Sequence, residues 1–284
     1  MKKNAGVMGF PISHSLSPRL HGYWIDKYDL DASYIAREVK PEDLKATLEA
    51  LPDDCLAKGE IFRGTNLTIP LKEVALKLVD EVELSAKRIG AVNTIVRTEG
   101  GKLAGRNTDG IGFRDSLADH LDIEQFREGT ALILGAGGAA RAIVHACLEM
   151  GFSKILITNR TEERASELVR HMGERCEIFP WDHRSECLGE VDLLINTTSL
   201  GMAGQPPLQM SLHGLKVGAV VTDIVYVPLQ TVLLKEAVEK GYMTVDGIGM
   251  LLHQAKAGFE AWFGVKPEVD ADLRAFVLQG LNKK

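Results

Sequence analysis

Short apolar runs alternate along the chain with longer segments whose apolar residues recur every three to four positions. The runs at residues 6–10, 32–38 and 61–69 predict strands, and the segments between them, such as residues 41–51, predict helices. A second series of the same kind begins at residue 130 and includes strands at 154–158, 177–179, 191–195 and 219–224. This alternation indicates an α/β fold with mainly parallel sheets.

The strand that begins the second series leads into a glycine-rich turn and an amphipathic helix. Gly135, Gly137 and Ala140 fit the spacing G-x-G-x-x-G/A. In that motif the three positions serve the turn, the approach of a pyrophosphate, and helix–strand packing. The helix N-terminus is then aimed at the phosphates. A tight turn with no ligand is the structural alternative at this stage.

The end of the next strand bears on the choice of cofactor. A site for NAD would place Asp or Glu here to bind the ribose 2′-hydroxyl, whereas this chain has Asn159 and Arg160, with Arg164 one turn later. Two guanidinium groups are suited to a 2′-phosphate, so the pattern favours NADP. The alternative is ordinary polarity at a helix start, with Thr161 as the cap, but two arginines there oppose the helix dipole.

These patterns together predict two α/β domains. The first, a mainly parallel-sheet domain for the substrate, covers residues 1–112, and the second, a Rossmann-like domain for NADP, covers 113–246. The charged, turn-rich segment at 119–129 precedes the second series of strands. We expect the C-terminal helices, residues 247–284, to pack back on the first domain, with one helix at 248–262 and the last at 269–281.

Polar side chains cluster where strands of the first series end. Ser15 and Ser17 lie in a serine-rich loop before a helix that we expect to start at Pro18, with Ser17 as its N-cap. Hydroxyls and N–H groups that converge in such a loop form a natural anion site. For any single serine, capping or turning the chain is the simpler explanation.

Four further polar residues lie in or just after later strands: Thr68 in the strand at 61–69, Lys72 just past it, Asn93 inside the apolar run at 90–96, and Asp109 at the end of the next strand. Three of them also have a plain structural explanation. Lys72 can be a solvated surface charge, Asn93 a turn or bulge residue, and Asp109 the N-cap of the next helix. The sequence pattern alone leaves both explanations open at each of these three positions.

Composition excludes several classes of partner. The chain has 284 residues and a net charge of −6, with 39 acidic and 33 basic residues that form no basic block, which argues against a nucleic-acid partner. The four cysteines form no C-x-x-C pair, so neither a zinc site nor a disulfide framework is expected, and no metal is predicted. No apolar run is long enough for a membrane span or a signal peptide, which predicts a cytoplasmic protein. The oligomeric state is not fixed by the sequence, and a homodimer stays open.

Nine sequence blocks, in the same order, resemble the NADP-dependent, single-function bacterial members of the shikimate and quinate dehydrogenase family. The blocks span the chain and read GFPISHSLSPRLH, NLTIPLK, GAVNT, NTDG, GAGGAARA, NRTEERA, INTTSLGM, DIVYVPLQTVLL and DGIGMLLHQA. One departure is Gly22, where the family commonly has Asn. The resemblance implies the reversible, NADPH-dependent reduction of 3-dehydroshikimate to shikimate in chorismate and aromatic amino acid biosynthesis.

The resemblance also implies site residues. Lys72 and Asp109 match the catalytic pair of the family, and they would bind substrate together with Ser15, Ser17, Thr68, Asn93, Tyr226 and Gln254. The residues implied to bind NADP are Gly135, Ala136, Gly137, Gly138, Ala139, Asn159, Arg160, Thr161, Arg164, Thr198, Ile224 and Gly247.

Three other functions stay open at this stage. A quinate or quinate/shikimate dehydrogenase shares nearly all of these blocks, although Arg160 favours NADP and the biosynthetic enzyme. A non-catalytic NADP-binding regulator would be expected to lack the lysine–aspartate pair, which is present. A reductase for another small acid is not excluded, because no motif encodes the geometry of the ring.

Overall fold

The structure, a computed structural model, describes residues 1–281, and the chain divides into two compact units. Unit 1 consists of Met1–Asp109 and the chain from Leu251 onward, and unit 2 consists of Gly110–Met250. The divisions predicted from the sequence fall after residues 112 and 246. The observed divisions, after Asp109 and after Met250, lie inside continuous helices, where no change in composition marks them. Residues 282–284 of the predicted C-terminal segment lie outside the described residues.

Strands and helices alternate through both units, as the apolar pattern predicts. The strands are β1 (Lys2–Gly9), β2 (Ala32–Glu38), β3 (Glu60–Phe62), β4 (Gly64–Leu67), β5 (Glu81–Val82), β6 (Thr94–Arg97), β7 (Leu103–Arg106), β8 (Thr130–Leu134), β9 (Lys154–Thr158), β10 (Cys176–Ile178), β11 (Leu193–Asn196), β12 (Val220–Asp223) and β13 (Met243–Val245). The α-helices are α1 (Ser17–Lys27), α2 (Leu44–Ala57), α3 (Lys72–Ala75), α4 (Leu84–Ile89), α5 (Asp109–Ala118), α6 (Gly138–Glu149), α7 (Glu162–Met172), α8 (Val232–Glu239), α9 (Gly247–Phe263) and α10 (Ala271–Gln279).

The sheet of unit 1 is mixed but mainly parallel, in the order β2-β1-β4-β6-β7-β5, with β3 also paired to β1. Strand β1 is parallel to β2, β3 and β4, and β5 is parallel to β7. Only β6 runs against its neighbours, β4 and β7. The carboxyl ends of β1, β4 and β7 therefore meet the amino end of β6 at one edge of the sheet.

The C-terminal segment belongs to unit 1, and hydrogen bonds join it to a strand of that unit and to α1. The indole N–H of Trp262 donates to the carbonyl of Ile95 at 2.9 Å, and Trp24 donates to the carbonyl of Glu268 at 3.0 Å. Trp262 and Trp24 are fully buried. Burial of such large aromatic side chains is a main source of stability, and indole N–H groups are usually bonded when buried.

The sheet of unit 2 is entirely parallel, in the order β10-β9-β8-β11-β12-β13. Numbered within the unit, this is the order 3-2-1-4-5-6 of a doubly wound dinucleotide-binding sheet. Both faces of the central strand β8 are covered, since Ala131 and Ile133 pack in one apolar cluster and Leu132 and Leu134 in another. A parallel sheet requires this burial on both faces.

Local differences from the sequence prediction have physical causes. The cap predicted at Ser17 is wrong: Leu16 is the N-cap residue of α1, and the N–H of Ser17 donates to the Ser15 hydroxyl at 3.3 Å. The strand predicted at 61–69 is two strands, β3 and β4. At Gly64, φ is +148° and a Cβ would collide with the Ile95 carbonyl and the Trp262 ring, so only glycine fits here. Within residues 1–281, no helix has the length and hydrophobicity needed to cross a membrane.

Candidate active site

A buried ion pair lies at the polar edge of the unit 1 sheet. The ammonium of Lys72, the first residue of α3, contacts Oδ2 of Asp109, the first residue of α5. Only 14% of the Lys72 side chain and 6% of the Asp109 side chain are exposed. Lys72 is therefore not a solvated surface lysine, and the Asp109 carboxylate also benefits from the positive end of α5.

Asn93 holds the second oxygen of the same carboxylate. Its Nδ2 donates to Oδ1 of Asp109 at 2.7 Å and to the Thr108 hydroxyl at 3.0 Å. Its Oδ1 accepts from the Thr108 N–H and the Thr94 hydroxyl, both at 2.9 Å. Asn93 is thus the centre of a buried polar network, which goes beyond the turn or bulge role that the sequence left open.

Gln254, on α9, joins this network from far along the chain. Its Oε1 accepts from the Thr108 hydroxyl at 3.4 Å and lies 3.5 Å from Nδ2 of Asn93. Its Nε2 donates to the Leu251 carbonyl at 3.2 Å. The structure therefore brings together Lys72, Asn93, Asp109 and Gln254 within unit 1.

The remaining predicted substrate residues lie at strand ends. Ser15 and Ser17 follow β1 and Thr68 follows β4, and the carboxyl ends of these two parallel strands lie at the same edge of the sheet. Ser17 is buried, whereas Ser15 and Thr68 are partly exposed. Tyr226 lies in unit 2, on the segment that follows β12.

Two residues that the site prediction omitted also belong to the polar network. Asn66 donates from Nδ2 to the Asn93 carbonyl at 3.2 Å and to the Thr94 hydroxyl at 3.0 Å, and its Oδ1 accepts from the Tyr34 hydroxyl at 2.7 Å. Asn66 was recognisable as a polar residue in an apolar strand. Tyr34 gave no signal, because a tyrosine in a strand is normally part of the core.

In unit 2 the glycine-rich turn leaves room for a ligand. Gly135 has φ +113°, and a Cβ there would lie 2.5 Å from the Thr197 hydroxyl, so glycine is required for the turn itself. Gly137, the N-cap residue of α6, is different: its φ is −90°, no side chain caps the helix there, and a Cβ would meet no atom within 4 Å. Protein packing does not explain the absence of a side chain at Gly137, and an approaching phosphate does.

The two arginines after β9 are exposed, and neither guanidinium is bonded to another group within residues 1–281. Thr161 occupies the N-cap position of α7, but its side chain makes no capping hydrogen bond. Instead Nδ2 of Asn159 donates to the Thr161 carbonyl at 2.7 Å. Polarity for capping therefore does not account for Arg160 and Arg164, which fit a 2′-phosphate.

The other predicted cofactor residues, Thr198, Ile224 and Gly247, follow β11, β12 and β13 at the carboxyl edge of the same sheet. A buried carboxylate stabilises this edge: Asp223 accepts from Asn196 at 3.0 Å and from Thr231 at 2.8 Å. Burial raises the pKa of Asp223, and its hydrogen bonds oppose the shift.

Three family models match consecutive parts of the chain. Residues 7–95 match the shikimate dehydrogenase substrate binding domain, residues 117–203 match shikimate / quinate 5-dehydrogenase, and residues 247–275 match the shikimate 5′-dehydrogenase C-terminal domain. The chain belongs to the shikimate dehydrogenase family. Membership confirms the resemblance in the nine sequence blocks and the two-domain α/β fold class.

Individual relatives of this family are similar over nearly the whole chain. The shikimate dehydrogenase (NADP(+)) of Paramagnetospirillum magneticum is 48% identical over 96% of this chain and 97% of its own. The structure of shikimate 5-dehydrogenase from Thermus thermophilus in complex with NADP(H) and shikimate has a TM-score of 0.84 at 34% identity, covering 100% of this chain and 99% of that one. A quinate dehydrogenase from Corynebacterium glutamicum in complex with NAD has a TM-score of 0.86 at 28% identity, covering 98% and 99%.

Proposed function

We propose that this protein reversibly reduces 3-dehydroshikimate to shikimate with NADPH, and that Lys72 donates the proton. The observation that carries the proposal is the buried Lys72–Asp109 pair bonded to Asn93 at the polar edge of the unit 1 sheet. A regulator that only binds NADP would have no use for this pair. The curated relatives named shikimate dehydrogenase (NADP(+)) confirm the predicted class of activity and its cofactor.

Lys72 serves the chemistry in two ways. Reduction of a carbonyl places negative charge on its oxygen, and an ammonium beside that oxygen stabilises the charge and donates a proton. In the oxidation of shikimate, the neutral amine accepts the hydroxyl proton. NADPH supplies the hydride when it is bound.

Asp109 and Asn93 prepare Lys72 for this role. The carboxylate fixes the position of the lysine ammonium, and the hydrogen bond from Nδ2 of Asn93 fixes the carboxylate in turn. Asp109 also offers its oxygens to a substrate hydroxyl, so both members of the pair act in catalysis.

The remaining groups at the unit 1 edge suit a hydroxylated acid. Ser15 and Ser17 bind the carboxylate in this proposal, and Thr68, Asn93 and Gln254 bind the ring hydroxyls, with Tyr226 at the carboxylate end. Ser15 and Thr68 are partly exposed, as direct contact with a substrate requires, whereas Ser17 is only 7% exposed.

The residues of unit 2 fit NADP at three points. Residues 135–139 bind the pyrophosphate, at a helix N-terminus with no side-chain cap. The adenosine 2′-phosphate is bound by residues 159–161 and Arg164. Thr198, Ile224 and Gly247, at the carboxyl ends of the next strands, are assigned to the nicotinamide half of the cofactor.

The assay that tests this function follows the nicotinamide absorbance with shikimate or quinate and with NADP or NAD. We expect the highest kcat/KM for shikimate with NADP. A preference for quinate with NAD would favour the quinate dehydrogenase alternative. Binding of NADPH without turnover of either acid would overturn the enzymatic proposal.

Two further expectations concern the location of the protein in the cell and its oligomeric state. We place the protein in the cytoplasm, where its relatives' class of biosynthetic enzyme would act, and subcellular fractionation tests this. The homodimer left open by the sequence is tested by the mass of the protein in solution.

A further inference from the structure

The hydroxyl of Tyr34, on β2, reaches Asn66, on β4, across the strand that lies between them. Tyr34 pairs with Ala5 of β1, and Asn66 pairs with Val7, so both side chains lie on the same face of the sheet. The small side chain of Ala5 leaves room for the tyrosine ring, and the two polar groups meet at 2.7 Å.

Two fully buried aromatic side chains, His21 and Trp262, hold the ring of Tyr34. The imidazole of His21 stacks on Tyr34 with centroids 3.9 Å apart and an interplanar angle of 9°. The ring of Trp262, on α9, lies 6.0 Å from the Tyr34 ring between centroids. Burial lowers the pKa of His21 to about 3, and the polar Asn66 beside it only partly offsets this, so the imidazole stays neutral in the physiological range.

The hydrogen bond from Tyr34 holds the Asn66 amide from its oxygen side. Because Oδ1 accepts from the tyrosine, Nδ2 is directed to the Asn93 carbonyl and the Thr94 hydroxyl. Thr94 donates in turn to Oδ1 of Asn93, which leaves Nδ2 of Asn93 for Asp109. The Thr108 N–H donates to the same Oδ1 at 2.9 Å, so two donors favour this orientation of Asn93.

We propose that Tyr34 is a positioning residue for the Lys72–Asp109 pair, acting through Asn66 and Asn93. This inference rests on the proposed function for its kinetic consequence. Without the tyrosine hydroxyl, the buried Oδ1 of Asn66 loses its 2.7 Å donor, and only the two bonds from Nδ2 hold the amide. Asn93 then holds the carboxylate less firmly, and the lysine loses its fixed partner.

The test compares Tyr34→Phe with Tyr23→Phe, which removes a hydroxyl from a partly exposed ring of α1 outside the network. Assays run well below the melting temperature of each variant. We expect Tyr34→Phe to lower kcat roughly 5- to 50-fold, less than the roughly 10²-fold that a 1 Å displacement of a catalytic group can cost, with the KM for NADP within about twofold. Tyr23→Phe should match the wild type. A Tyr34→Phe kcat within about twofold of the wild type overturns the inference.

A double-mutant cycle separates positioning from a general structural role. If Tyr34 acts through Asp109, Tyr34→Phe should cost less than about twofold when added to Asp109→Asn, because the pair is already broken. An unchanged penalty in that background would contradict the inference.

A crystal structure of Tyr34→Phe gives a readout that does not depend on activity. We expect the distance from Nδ2 of Asn93 to Oδ1 of Asp109 to increase from 2.7 Å to beyond hydrogen-bonding range. An unchanged distance would overturn the role of Tyr34 even if wild-type activity is as proposed. Absence of shikimate turnover in the wild type would count against the proposed function, and the crystal structure would still decide the positioning role.

Discussion

Asn93 and Asp109 are joined by a 2.7 Å hydrogen bond from the amide Nδ2 to Oδ1 of the carboxylate. The other carboxylate oxygen contacts the ammonium of Lys72. Asn93 and Lys72 thus hold the carboxylate of Asp109 from two sides. The same contact fixes the position of the lysine ammonium.

Replacing Lys72 by alanine should lower kcat by about 10²- to 10⁴-fold, the usual contribution of a positioned general acid or base. The KM for shikimate should change only modestly, because several other groups bind the substrate. Steady-state kinetics in the direction of shikimate oxidation measures both constants. Lys77→Ala, at an exposed position soon after α3, is the matched control and should behave as wild type. If Lys72→Ala keeps near wild-type kcat, Lys72 has no part in the chemistry.

Replacing Arg160 or Arg164 by alanine should weaken NADP binding about 10- to 100-fold, as expected for loss of hydrogen bonds to a charged group. Binding of NAD, which lacks the 2′-phosphate, should change little. Titration of protein fluorescence with each cofactor gives the two dissociation constants. Arg170→Ala, an exposed arginine at the other end of α7, is the control. Equal losses for NADP and NAD would show that these arginines do not select the phosphate.

Gly137→Ala distinguishes a cofactor turn from a merely structural one. The backbone conformation at Gly137 is open to alanine, and the added methyl group meets no protein atom within 4 Å. We therefore expect an unchanged melting temperature and an NADP affinity at least about tenfold weaker, because the methyl group occupies the approach of the pyrophosphate. Gly22→Ala, in α1 and equally open, should leave cofactor affinity unchanged. Wild-type NADP affinity in Gly137→Ala would place the pyrophosphate elsewhere.

Unit 1 should lose stability in acid because of His21. Its pKa is lowered from 6.5 in the unfolded chain to about 3 by burial, so between these values the unfolded state binds one more proton than the native state. The contribution of neutral His21 to the free energy of unfolding is therefore complete above pH 6.5. It decreases as the pH falls, by about 2 kcal/mol at pH 5. Urea unfolding at pH 7.5 and pH 5, followed by the fluorescence of buried Trp24 and Trp262, measures this loss.

The variant His21→Phe keeps an aromatic ring and removes the titration, so its loss of stability between the two pH values should be smaller by that amount. His213→Phe changes an exposed histidine and should lose as much as the wild type. If His21→Phe and the wild type have the same pH dependence, His21 is not the group responsible.

The spacing of apolar residues predicts a strand or helix well where one spacing continues without a break over the whole element. The bounds predicted for β2 and β9 agree with the structure because the apolar runs there end in clear turn signals. The break between β3 and β4 was not predictable, since it depends on the Trp262 ring, which is distant in sequence and packs against Gly64. Local pattern carries no information about such a contact.

The same limit applies to the candidate site. Lys72 and Asp109 stood out as polar residues at strand ends and Asn93 as an amide inside an apolar run, and the resemblance to a family paired Lys72 with Asp109. The link from Tyr34 to Asn66 depends on the register of β2 and β4 against β1, which a single sequence does not specify.

The division of unit 1 between the two ends of the chain has a consequence for synthesis. Unit 2 is contiguous, so all of its residues have been translated once Met250 is added. Unit 1 begins first but stays incomplete, because the ring of Trp24 packs on Phe259, 5.2 Å away between centroids, and Gln254 is also still to come. Domains generally fold as units, and unfinished ones expose apolar surface. The half of the protein that leaves the ribosome first is therefore the last to fold, and its aromatic residues stay uncovered until α9 emerges.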